Sequence, residues 1–176
     1  MTVLRPKREA FEALRQGVAK IKSQRLYRLC WLVLRDPLFF DSPGGAEHHH
    51  NYKHGLAIHV SEVMQNVLKM TGGAPSDELI TAVIWHDYMK IRDYGLDGEL
   101  PTKQPYCKLI NHVAGSAMAF HHEAAGMLRP DTLERIEHLL LSHHGRKEWG
   151  SPVEPQTAEA FILHAADMMS AKGCNL

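Results

Sequence analysis

Histidine and aspartate recur at 59, 86, 87, 112, 143 and 167, and most of these fall on the apolar stripe of a helical pattern. Residues three or four apart share one face of a helix. His59 follows Leu56 by three and precedes Val63 by four; His86 follows Val83 by three, and Asp87 follows it by four. Asp167 lies four after Leu163 and seven after Ala160, and His112, three after Leu109, is compatible with the same direction. The successive intervals of 27, 26, 31 and 24 residues each correspond to one helix plus one loop. A chain with this spacing is expected to fold so that successive helices each deliver one polar group to a common interior point, as helical bundles do when they build metal sites.

The rest of the pattern supports an all-α helical bundle in a single domain. One helix is expected over about 7–35, opened by Pro6 and closed by Asp36-Pro37, followed by a loop from Asp41 to Lys53 containing Ser42-Pro43-Gly44-Gly45. A second helix spans about 55–70. Ser76 caps a third, which carries Ile80, Val83, Ile84 and the pair His86-Asp87. Gly95, Gly98, Pro101 and Pro105 mark a loop over about 92–107, long enough to cover a site. Helices are then expected over 108–127, from Pro130 to about 143, and from Pro155 to about 172, with the loop His144 to Pro155 between the last two. No period-two strand pattern persists.

Bulk properties narrow the chemistry. With Lys plus Arg and Asp plus Glu at 20 each, the overall charge gives no reason to expect a strong nonspecific grip on duplex nucleic acid. Cys30, Cys107 and Cys174 are widely separated and lack CxxC spacing, so neither a disulfide framework nor a thiolate site is expected. No apolar run approaches a membrane span, and the charged first residues carry no export signal, so the expected compartment is the cytoplasm. The outlier is histidine, at 13 residues.

A single inward histidine is ordinarily a hydrogen-bonded core residue. Several inward His and Asp positions around an adjacent His-Asp pair instead point to a divalent cation, because a buried aspartate is costly unless paired or bound to one. Imidazole with carboxylate suits Mn, Fe, Zn, Co or Ni, and Mg remains open. His121, His122 and His138 read as solvated surface. The run His48-His49-His50 is either plain loop or a lining of the site, and with His54 it supplies candidate substrate contacts. His164 is either packing or a support for the ligands.

Against this background His59, His86-Asp87 and Asp167 resemble the H...HD...D pattern of the HD superfamily of metal-dependent phosphohydrolases. EHHHNYKHGLAIHV, AVIWHDYMKIRDY, KLINHV and HLLLSHHGRKEWGSPVEPQTAEAFILHAADMMSAK further resemble the HD domain of YhaM-type bacterial 3'-5' exoribonucleases, over about residues 45–173. Residues 1–44 would then be a helix and loop packed on the domain. The resemblance implies an HD-domain helical bundle and one or two divalent ions. His59, His86, Asp87 and Asp167 would hold the first; Asp87 would bridge to a second held by His112 with His143 or His144. It implies hydrolysis by metal-activated water, with Asp87, Lys90 and His143 in catalytic roles and Lys90 near a substrate phosphate. The family's HDxGK reads HDYMK here, so Met89 is expected to reshape the pocket entrance, and GLLxHT reads GLAIHV, placing Val60 where a hydroxyl stood.

The function expected is a phosphodiesterase or nuclease acting on nucleic-acid or oligonucleotide ends. A phosphohydrolase of nucleoside mono- or triphosphates, a non-catalytic nucleotide-binding or interaction module, and an HD-type relaxase-like DNA-processing domain are the alternatives. YhaM-type enzymes carry a nucleic-acid-binding OB fold, which is not expected within residues 1–44; a protein partner would supply that grip.

Overall fold

The structure, a computed structural model, describes residues 4–46 and 50–173. The all-α expectation holds, apart from one small hairpin. The expected helix over 7–35 is two helices, α1 (Leu4–Val18) and α2 (Gln24–Leu34). The break is made by capping. Ser23 Oγ accepts from Leu26 N, while the Asp77 carboxylate accepts the backbone N–H groups of Lys22 and Ser23. Those orphan donors of a helix start are thus satisfied from across the bundle. The helix does end before Asp36-Pro37, at Leu34, and Asp36 then caps a further short helix, α3 (Pro37–Asp41), its carboxylate accepting from Leu38 N at 2.9 Å.

Helix α4 (Gly55–Met70) has the expected bounds, and α5 (Asp77–Trp85) starts at the expected Ser76 cap, whose Oγ accepts from Leu79 N. Every residue from Leu79 to Trp85 is buried, which makes α5 the inner helix of the bundle, and its C-terminal end delivers His86 and Asp87. The expected loop over 92–107 is occupied by the end of α6 (Lys90–Asp93), an antiparallel hairpin of β1 (Tyr94–Asp97) and β2 (Leu100–Lys103), and the start of α7 (Pro105–Leu109). Strands of four residues interrupted by Gly95 and Pro101 are too short to show alternation. The helix expected over 108–127 begins instead at His112, as α8 (His112–Ala124), because Asn111 has φ 60° and caps it, Oδ1 accepting from Val113 N. Helix α9 (Pro130–Ser142) starts at its proline; α10 (Ala158–Lys172) is opened by Thr157, whose hydroxyl accepts from Ala160 N, and not by Pro155.

A contiguous apolar core joins Leu14 and Val18 of α1, Leu29 and Val33 of α2, Leu56 and Val63 of α4, Ile80 and Ile84 of α5, Phe120 of α8, Ile136 and Leu140 of α9 and Leu163 of α10. Each such side chain contributes about 1.5–3 kcal/mol on burial. Helix α4 packs between α1 and α10, and α5 between α2 and α9. Trp85 anchors the end of α5, its Nε1–H donating to Leu29 O at 3.2 Å and its ring meeting Phe120 edge-on at 5.5 Å. The His86-Asp87 pair therefore follows a fully buried helix end anchored by Trp85. Among the described residues no helix is long and apolar enough to cross a membrane.

Candidate metal centre

Helices α4, α5, α8, α9 and α10 converge on two groups of side chains. His59, His86, Asp87 and Asp167 form one and His112, His143 and His144 the other, with the ligand atoms in each lying within 4.8 Å of one another. Asp87 joins them. Its Oδ2 is 3.2 Å from His59 Nε2 and 3.5 Å from His86 Nε2, whereas its Oδ1 is 3.4 Å from His112 Nε2 and 3.6 Å from His143 Nε2. Asp167 Oδ1 completes the first group, 3.0 Å from His59 Nε2. His143 and His144, which sequence left as alternatives, both lie in the second group.

The imidazoles are held by their far edges. Nδ1 of His86, His143 and His144 donates to the carbonyls of Val83, Leu140 and Trp149 at 2.8, 2.6 and 2.8 Å. A carbonyl only accepts, so the proton of a neutral ring is on Nδ1 and the Nε2 lone pair faces inward. His112 Nδ1 donates to Asp93 Oδ2 at 2.7 Å, and His112 N donates to the same oxygen. His59 Nδ1 donates to Ser170 Oγ at 2.9 Å, since that hydroxyl spends its own hydrogen on Glu62 Oε2 at 2.7 Å. Five tethered rings with inward Nε2 atoms are the usual arrangement around a metal, where the far-edge hydrogen bond fixes tautomer and orientation.

Electrostatics test the fit. His112 Nε2 and His144 Nε2 lie 3.2 Å apart, two inward lone pairs that repel unless positive charge lies between them. Buried His143 Nε2 and Asp87 Oδ1 receive no hydrogen bond, while Asp87 Oδ2 is met by Lys90 Nζ at 2.6 Å. Atoms of this kind are rare in a buried site and call for a cation. Burial pushes Asp87 upward, but Lys90 foremost, then His86, His143 and His59, hold it well below the usual carboxylate range. Burial would lower His59, yet Asp167 and Asp87 raise it to about 9, a measure of the pull on positive charge at this point. Burial lowers His86 to about 4 and, with His143 and His112 beside it, His144 to about 3, which keeps these rings neutral and able to donate lone pairs. The donor set fits divalent cations.

The other expected positions divide. Lys90 is buried beside Asp87 and lines the groove above it. His50 lies against the outer side of His59, ring centroids 5.2 Å apart, with Nε2 3.2 Å from Glu62 Oε2. His54 does not reach the site: it is buried, and its Nδ1 donates to Phe40 O at 2.6 Å. It holds α3 to the start of α4, which corrects the substrate expectation. His48 and His49 lie outside the described residues. His121 and His122 are exposed, as expected, while His138 is half-buried and accepts from Gln156 N. His164 supports the ligands through the backbone, donating from Nδ1 to His143 O at 2.8 Å. Met89 does not reshape the pocket entrance: it lines a separate groove with Leu32, Trp85 and Ala119, and Val60 is fully buried in the core. Sequence reading missed Asp93, Ser170 and Glu62. The latter two had a signal, each being a polar residue one helical turn after an inward ligand.

A groove of about 860 Å3 opens above the two groups, lined among others by Lys90, Lys103, His112, His144, Trp149 and Asp167. The sequence matches the family model described as HD domain over residues 56–172. It is 32% identical over 175 residues to the 3'-5' exoribonuclease YhaM of Bacillus subtilis, covering 95% of this chain and 55% of that protein. It is 33% identical to the YhaM proteins of Bacillus velezensis, over 175 residues with the same coverage, and of Listeria monocytogenes, over 173 residues covering 94% and 54%. The similarity therefore takes in much of the N-terminal region as well as 45–173. The chain spans about half the length of the curated relatives it matches. No solved structure matches.

Proposed function

The chain belongs to the HD domain family, and from that premise we propose that it hydrolyses phosphodiester bonds at the ends of nucleic acids or oligonucleotides. The observation that carries the reading is Asp87, whose two carboxylate oxygens face two separate groups of inward imidazoles at the floor of one groove. His59, His86, Asp87 and Asp167 would hold one divalent ion, and Asp87, His112, His143 and His144 a second. Manganese is the ion we expect, within a nitrogen and oxygen set that suits Fe, Co, Ni and Zn as well. When bound, such ions acidify water and withdraw charge from phosphate oxygens.

The chain's own groups do the rest. The Lys90 ammonium, paired with Asp87 and raised further toward its charged form by Asp87 and Asp167 against the effect of burial, adds fixed positive charge where a phosphate enters. His143 donates its Nδ1 proton to Leu140 O, so its neutral ring has no proton on Nε2 for a leaving group; this favours a ligand over a general acid. RNA is the proposed substrate class, since the relatives are 3'-5' exoribonucleases. The cytoplasm is the proposed compartment, in keeping with free Cys30 and Cys107.

Product analysis tests this. With Mn, short RNA should yield nucleoside monophosphates, and Asp87→Ala should abolish both that activity and metal retention. Inorganic phosphate released from mononucleotides, with oligomers left intact, would replace this reading with a nucleotide phosphohydrolase. Hydrolysis retained by Asp87→Ala would refute the metal-centred reading itself.

A further inference from the structure

Trp149 is placed differently from Trp85. It keeps 47% of its surface exposed while lining the groove above the metal centre; Trp85 is 1% exposed and sealed in the core. Its indole meets the His164 ring at 6.0 Å between centroids, yet about half of its surface still faces a groove that also carries Lys90, Lys103, His112 and His144. Its segment is also well fixed. Trp149 closes a 3-10 turn over Lys147–Trp149, with Trp149 N and Ser151 N both donating to Arg146 O, and Gly150, at φ 95°, turning the chain away. The Trp149 carbonyl receives the Nδ1–H of His144 at 2.8 Å. One residue thus orients a ring of the metal centre through its backbone and presents its indole to the groove. The Arg146 guanidinium lies over the indole ring, 4.9 Å from its centroid, a cation–π pair that extends the ring with a second flat group.

We propose that Trp149, with the Arg146 guanidinium over its ring, is a stacking platform for an unpaired nucleobase of the nucleotide whose phosphate lies at the His112, His143 and His144 group. The proposal rests on the phosphodiesterase reading and deepens it. Stacking is sequence-tolerant because every base has a π-face, so the platform admits any base but demands that it be unpaired. A base inside a duplex is stacked on both faces and has none left for a ring on the groove wall. The geometry therefore selects single-stranded ends, and it does so next to the scissile bond, with Arg146 able to meet a neighbouring phosphate.

Equilibrium binding separates this proposal from the activity it rests on. A fluorescein-labelled single-stranded RNA of a few nucleotides is compared, by anisotropy under Ca with the probe's integrity checked, with the same strand carrying an abasic terminal nucleotide. The wild-type protein should prefer the base-bearing strand by roughly 5- to 100-fold, the range of one stacked base. Trp149→Ala should erase that preference, and Trp149→Phe should keep most of it. Both variants should retain wild-type metal stoichiometry, since His144 is held by the backbone carbonyl. Equal affinity of the wild-type protein for both strands, no binding of either, or an undiminished preference in Trp149→Ala would overturn the platform. If the preference is present while no phosphodiester is cut, the platform stands and the proposed activity falls. Loss of metal by Trp149→Ala and Trp149→Phe alike would assign the indole a structural role and also overturn it.

Discussion

Replacing Asp93 with asparagine removes one negative charge from behind His112 while keeping the shape of the side chain. Asp93 is fully buried, and its Oδ2 accepts from both His112 N at 3.0 Å and His112 Nδ1 at 2.7 Å. Two charge-assisted hydrogen bonds become neutral ones, a loss of at most about 2–3 kcal/mol, since a neutral amide is also easier to bury. For a chain of this size that lowers the melting temperature by roughly 5–12 °C, leaving a folded protein to assay. The larger consequence is for the metal. A carboxylate behind a ligating imidazole raises its basicity and fixes its tautomer, and losing it typically costs 10- to 100-fold in affinity. Calorimetric titration of metal-stripped Asp93→Asn with Mn should show two classes of site, one weakened by about 10- to 100-fold and the other within a few-fold of wild type. The unaffected class is the one built by His59, His86 and Asp167, none of which is bonded to Asp93. If both classes weaken equally, or neither does, the division into two groups sharing only Asp87 is wrong.

Three further outcomes follow from the same geometry. His86 is lowered to about 4, so its neutral form contributes stability that is full above about pH 6.5 and fades as pH falls toward 4. His59 is raised to about 9, so its contribution is full below about pH 6.5 and fades as pH rises through 9; thermal melts of metal-free protein should peak between these limbs. Metal takes over the role of the His59 proton, so the alkaline decline should flatten when Mn is present. A decline of the same steepness with and without metal would contradict this. Chelation at pH 7 should lower the melting temperature, because the facing lone pairs of His112 and His144 lose the charge between them. Gly145→Ala should destabilise by roughly 2–4 kcal/mol in denaturant titration, because φ is +83° and the new Cβ would lie about 2.5 Å from His164 Nε2, the ring that braces the His143 carbonyl.

The parts of the centre that were legible in the sequence are those governed by helical period. His59 and Asp167 lie within α4 and α10, and His86 and Asp87 prolong the phase of α5 by less than a turn, so apolar neighbours reported their direction. The illegible parts depend on contacts between distant segments. Asp93 lies in a four-residue helix with no stripe to phase it, and its partner is 19 residues away. The break between α1 and α2 is hidden because the apolar rhythm continues across it, and its cause is the carboxylate of Asp77, 55 residues away from Lys22. His54 misled for a different reason. Its place in a histidine-rich loop suggested solvent and substrate, but its φ of 73° starts α4 and turns its ring to Phe40 O.

The departures at Met89 and Val60 bear on whether the centre is equipped to work. A glycine at position 89 would be required only by a positive φ or by close approach to the ligands, and neither applies: Met89 has φ −75° and lines the groove beside Leu32, Trp85 and Ala119. Its backbone N–H donates to Ser116 Oγ, which ties the turn after Asp87 to α8, and that bond is indifferent to the side chain. Val60 is fully buried among apolar residues of α4, while the hydroxyl that supports His59 comes from Ser170 on α10. The carboxylate pair, the five tethered imidazoles and Lys90 therefore keep their geometry in spite of both substitutions. Met89→Gly should leave metal affinity within about twofold and instead lower stability by roughly 1–3 kcal/mol, through loss of a half-buried side chain and added chain entropy. A gain or loss of metal affinity beyond tenfold in that variant would show that position 89 acts on the centre after all.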